Sequence, residues 1–91
     1  MDPTPLLDRV LDDEGLTAGL DEAEASSLAR ALADRVRAVA AAARNADDAR
    51  RKTDALCRRA RAIATEVRSA KPGQPGPVLR RLLAEWPDRP A

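Results

Sequence analysis

The chain has 91 residues, 44% of them hydrophobic but only one aromatic, and a formal net charge of +1. That length makes one small domain, taken here as residues 1–91. With no histidine and a single cysteine, the commonest general base and metal ligand is missing, and an internal disulfide, a CxxC pair and a cysteine–histidine zinc site are excluded.

The first element is "TPLLDRVLDDEG". Thr4 has the chemistry of an N-cap, and Pro5 suits the first helical position, where its missing N–H costs nothing. Leu6, Leu7, Val10 and Leu11 share one face, and Gly15 supplies a stop. A short helix is expected at about 5–14. In "LTAGLDEAEASS", Asp21 is placed to cap a second helix, with Glu24 three residues on to complete a capping box. Leu20, just before the cap, can staple onto the first turn. This helix is expected at about 22–44, with Leu28, Leu32, Val36 and Val39 on its apolar face.

A third helix, about 48–70, follows from "DALCRRARAIATEV", where Leu56, Ala60, Ile63 and Val67 recur at helical spacing. "KPGQPGP" then breaks the pattern with three prolines and two glycines, marking residues 71–77 as a linker. The last helix, about 77–86, carries Val78, Leu79, Leu82, Leu83 and Trp86 on one face, and Pro87 ends it. The fold class is all-α, because Ala, Leu, Arg and Glu dominate and strand formers are few.

Residues 36–52, "VRAVAAAARNADDARRK", decide between two architectures. One heptad register runs unbroken from 28 to 70. Leu32, Val39, Ala46, Thr53, Ala60 and Val67 occupy one seam position; Leu28, Arg35, Ala42, Ala49, Leu56, Ile63 and Ala70 occupy the other. A continuous helix over 22–70 would be a rod of about 73 Å. Its middle is thin, however: Ala42, Ala46, Ala49 and Thr53 offer no knobs, and Arg35 precedes them. The chemistry favours a reversal at Asn45. Arg44 suits a helix C-terminus, Asn45 tolerates the left-handed conformation just past one, and Asp47 or Asp48 can cap the next. The reading is an antiparallel hairpin of two long helices flanked by two short ones, able to pair with a second copy as a bundle.

Twenty of the forty apolar residues are Ala, so the core is thin and a protein partner or a homo-oligomer is physically attractive. Charge is unevenly spread. Residues 1–43 carry −5, residues 44–71 carry +5, and the tail carries +1. Either the acidic half packs beside the basic half, or the basic half meets nucleic acid.

No catalytic constellation can be assembled, and no cofactor, metal or small-molecule substrate is implied. Asp12, Asp13 and Glu14 read as a solvated cluster, one that a basic partner would favour. Cys57, flanked by Arg58 and Arg59, could hold a stabilised thiolate, but its place beside seam residue Leu56 favours a small core role. The expected function is non-enzymatic: a helical interaction module, adaptor or small subunit of a bacterial cytoplasmic assembly. Val78, Leu82 and Trp86 are the candidate partner-binding residues, should the last helix dock in trans rather than on its own domain. The alternative is a nucleic-acid-binding subunit using Arg50, Arg51, Arg58, Arg59, Arg61 and Arg68. Against it, Asp47/Arg51, Asp48/Lys52 and Asp54/Arg58 stand at favourable acid-then-base spacing, and the third helix has no aromatic for stacking. No apolar run is long enough for a secretory h-region or a membrane span.

Overall fold

The computed structural model describes residues 4–12, 16, 18–70 and 75–86. Four helices account for the described secondary structure: α1 (Thr4–Leu11), α2 (Glu22–Ala42), α3 (Ala46–Ser69) and α4 (Pro75–Glu85). Gly15, Asp13, Glu14, Pro87 and most of the Pro/Gly linker lie outside the described residues. Both short helices begin earlier than the sequence suggests. Thr4 is already helical, and α4 starts at Pro75 rather than Pro77.

The chain turns back between α2 and α3. Ala42 is the last residue of α2, Ala43 leaves it in extended conformation, and Asn45 begins the next helix. The longest dimension of the molecule is 43 Å, too short for the rod. The direction of return is fixed at the far end: Arg68, in the last turn of α3, donates a 2.7 Å hydrogen bond to the Ala18 carbonyl just ahead of α2. The two long helices therefore run antiparallel.

Asn45 makes the turn in a different way from the one its sequence suggests. It is extended (φ −160°, ψ 179°), not left-handed, and no described non-glycine residue has a positive φ. Its role belongs to the helix that follows. The Asn45 side chain accepts the Asp48 N–H at 2.9 Å, and the Asp48 carboxylate reaches back to the Arg44 N–H at 3.2 Å. This reciprocal pair resembles a capping box displaced by one residue, and it satisfies two backbone donors at a helix start. An Ala-rich helix without Gly or Pro thus ends because a better start competes for the same backbone. The Asp21–Glu24 capping box of α2 forms as its spacing implies, with Glu24 N–H to Asp21 at 2.8 Å and Asp21 N–H to Glu24 at 3.4 Å.

Gly19 stands in the loop entering α2 with φ +81°, a conformation that costs a residue with Cβ roughly 1 kcal/mol or more. A Cβ there would also lie 2.8 Å from the Arg68 side chain. The glycine lets Arg68 cross the loop backbone and reach Ala18.

The heptad seams become the interior. Leu28, Leu32, Val39, Ala49, Thr53, Leu56, Ala60, Ile63 and Val67 are all buried. Only the end positions Ala42, Ala46 and Ala70 are not. Val36, Ala40 and Ala64 widen the seam, as a helix covered on more than one side requires. Near the tip Ala40 and Ala49 are buried, the small side chains that let two backbones approach. Val10 and Leu16, together with Leu79, Leu82 and Trp86, join the hairpin in one continuous core. Leu6, Leu7, Leu20, Val78 and Leu83 pack against it from partly exposed positions.

One seam position is imperfect: the Thr53 hydroxyl is buried and has no hydrogen-bond partner. Thr53→Val keeps the shape and removes the orphaned polar atom, so it should raise unfolding free energy by about 1 kcal/mol. Leu32→Ala and Ile63→Ala should each lower it by about 2–5 kcal/mol. Urea titrations followed by circular dichroism measure all three, and a destabilised T53V would show that the hydroxyl is satisfied.

Candidate functional site

Two surfaces stand out, the docked C-terminal helix and a groove between α1 and α3. The first is organised by Arg35. This residue occupies a heptad seam position, and it is 7% exposed. A buried guanidinium needs partners, and Arg35 finds them in two directions. It donates to the Ala31 carbonyl, one turn back, at 2.9 Å, and to the Trp86 carbonyl at 2.9 Å. Its charge lies 4.3 Å from the centre of the Trp86 ring, in a cation–π contact. The carbonyls at the end of α4 lack intrahelical donors and carry the negative end of the helix dipole, so a cation is well placed there.

The sequence-derived partner residues are largely consumed by this arrangement. Leu82 and Trp86 are 4% and 5% exposed within the chain's own core, and Val78 is half-buried against it. The helix is docked in cis, so Leu82 and Trp86 offer no surface to a partner in this arrangement. The signal that α4 docks this way was an arginine on an apolar seam together with a lone tryptophan. Neither pointed to the other across the intervening chain.

The second surface is a groove of about 410 Å³ between α1 and α3, lined by Arg9, Asp12, Asp54, Cys57, Arg58 and Arg61. Arg9 and Asp54 bridge the two helices at 3.0 Å. This displaces the Asp54/Arg58 pairing suggested by spacing within α3, because α1 brings a guanidinium to the same carboxylate. Nothing in the sequence marked Arg9 except its position beside, not on, the apolar face of α1. Cys57 is half-buried at this groove, neither sealed in the core nor fully open.

The six candidate arginines are all exposed, but they do not act as one stripe. Arg58 and Arg61 line the groove. Arg68 holds the Ala18 carbonyl and contacts the Thr65 hydroxyl at 3.3 Å. Arg51 turns to Asp48 at 3.7 Å, not to Asp47, while Lys52 meets Asp48 at 3.2 Å as its spacing implies. Arg50 and Arg59 pair with no described carboxylate, and Arg59 lies about 100° around the helix from Arg58. Arg50, Arg58 and Arg59 thus form no described ion pair with the acidic half of the chain.

Among the described residues three carboxyls are shifted. The Arg44 N–H, then Lys52, hold Asp48 below its ordinary value. Asp21 is lowered by its hydrogen bonds with Glu24, chiefly the one from the Glu24 backbone N–H. Glu24 is raised, first by burial and then by its hydrogen bond with the Asp21 side chain. Among the described residues no cluster of three or more His, Cys, Asp or Glu could hold a metal ion, and no helix is long and apolar enough to cross a membrane.

No protein-family model, curated protein or solved structure matches this chain.

Arg35→Ala should cost about 3 kcal/mol, combining a charged hydrogen bond with a buried cation–π contact. Trp86 emission should shift to the red at lower denaturant concentration than in the parent; unchanged emission and stability would remove the clamp. For Asp48 the folded value is depressed, so its contribution is complete above the ordinary carboxylate range and lost as pH falls through the lowered value. Asp48→Asn should therefore flatten the acid limb of a stability-versus-pH curve, measured by thermal melts from neutral pH downward.

Proposed function

We propose that this chain is a non-enzymatic helical protein–protein interaction module, an adaptor or small subunit of a bacterial cytoplasmic assembly. The observation that carries this reading is the make-up of the α1–α3 groove. It presents guanidinium and carboxylate groups from two helices and one half-buried thiol. With no histidine in the chain, it has no imidazole to take a proton from that thiol. Such a surface is suited to charge-matched contact rather than to bond making. Most of the large apolar side chains are turned inward, so recognition falls mainly to the charged exterior.

A second reading, nucleic-acid binding through α3, is supported by the exposure of Arg50, Arg51, Arg58, Arg59, Arg61 and Arg68. It is weakened by the diversion of Arg51 and Arg68 into structural contacts, and by the enclosure of Trp86 beneath Arg35.

Affinity capture with the tagged full chain from a bacterial lysate, with and without nuclease, separates the two. A stoichiometric, nuclease-resistant complex is expected, with another protein or with a second copy seen by light scattering. A strict monomer whose bound material all leaves with nuclease would overturn the module and favour the second reading.

A further inference from the structure

Separate from the α1–α3 groove, a pocket of about 220 Å³ opens where α2 and α4 begin, lined by Ala23, Glu24, Ser27, Gly76, Leu79 and Arg80. Glu24 is 9% exposed, and its Oε2 is buried with no hydrogen-bond partner. The other described orphan, the Thr53 hydroxyl, lines neither this pocket nor the groove. A buried carboxylate oxygen without a donor is the costlier of the two. Burial is also the first cause of the raised Glu24 carboxyl. Its Oε1 is lightly held, by the Asp21 N–H at 3.4 Å. The last torsion of a glutamate is broad and two-fold, so either oxygen can turn toward a donor that enters the pocket.

Glu24 and Arg80 line the same pocket, yet neither forms a described ion pair, with the other or with any residue elsewhere. They stand at different depths: Glu24 is buried and Arg80 is exposed. A ligand between them meets a carboxylate inside and a guanidinium at the rim. A simple cation would be opposed by Arg80, and a simple anion by Glu24. The rest of the wall is largely apolar, with Ala23, Leu79 and the bare backbone of Gly76, where nothing lies within 4 Å of the place a Cβ would take. The space is smaller than the roughly 300 Å³ at which pockets for drug-sized ligands begin. It suits a short molecule whose two charges are close together. We infer that this pocket, whatever the chain's protein partner, binds a small aliphatic zwitterion of the α-amino acid class, its ammonium on the Glu24 carboxylate and its carboxylate on the Arg80 guanidinium. The Ser27 hydroxyl offers the ammonium a second acceptor.

The test titrates the full chain with valine and follows its backbone amide chemical shifts. Isobutylamine, which lacks the carboxylate, and isovalerate, which lacks the ammonium, are the comparison ligands. Valine should saturate with a Kd of about 1 mM or below, with the shifts centred on residues 23–27 and 76–80. Each comparison ligand should bind at least about tenfold more weakly. Glu24→Gln keeps a side chain that completes a capping box, and it should lower valine affinity by at least about tenfold. Arg80→Ala should do the same, whereas Arg81→Ala, exposed on the same helix, should change it by less than about twofold. Ala23→Leu adds bulk to the pocket from an exposed position and should abolish binding. Should the Glu24 variant not fold by circular dichroism, the Arg80 and Ala23 variants carry the comparison. No saturation by valine up to about 10 mM would overturn the inference. So would either single-charge ligand binding as tightly as valine, or equal affinities in the Arg80 and Arg81 variants.

Discussion

The contact between Arg35 and Trp86 governs how this chain completes its interior. A hairpin built from alanine, valine and a few leucines has too little large apolar area of its own. It gains more by seating a third helix, and that helix brings the only aromatic ring. The seat contains a charge, which would be costly in an apolar seam unless fully engaged. One guanidinium meets the end of α4 with its N–H groups and the ring with its face. The same side chain also holds a carbonyl of its own helix, so its direction is fixed before the ring arrives. Orientation of the C-terminal helix, burial of Leu79 and Leu82, and satisfaction of the charge are thus solved by one arrangement. Lysine could not substitute, because a point charge lacks the planar fork that serves two carbonyls and a ring together.

The two halves of the chain have opposite charge, yet the ion pair described between their helices does not follow that order. The described ion pair between helices of different halves is Arg9 with Asp54, an arginine of the acidic half with a carboxylate of the basic half. Exposed ion pairs contribute little in any case. Packing along the seam holds the helices together, and that leaves the net positive character of α3 facing solvent.

Much of the architecture was legible in the sequence because it depends on local chemistry. Periodicity placed the long helices, the Asp21–Glu24 spacing gave the capping box, and the weakness of Ala42 to Thr53 as a coiled-coil seam located the reversal. The mechanism of that reversal was not legible. Asn45 has chemistry for ending one helix or starting another, and only the position of the Asp48 carboxylate decides between them. The site was less accessible still. Spacing within α3 pairs Asp54 with Arg58, but Arg9 comes from α1, and no one-dimensional pattern shows that it arrives. Arg35 and Trp86 are likewise each odd in their own helix and explained only together. The rule that emerges is physical: contacts within a turn follow from sequence spacing, whereas contacts between helices depend on rotation about axes that spacing does not set.

The three-residue connection at the hairpin tip has a consequence for how the molecule assembles. Residues flanking it are close along the chain, so bringing Ala40 and Ala49 together closes a short loop at little entropic cost. Arg35 and Trp86 are 51 positions apart. Topology therefore grades the search: the hairpin can zip from its tip through local encounters, and the most distant pairing needs the largest ring closed. A chain wired in this way begins with low-order contacts at the tip and finishes with several long closures, Arg68 to Ala18 and Arg35 to Trp86 among them.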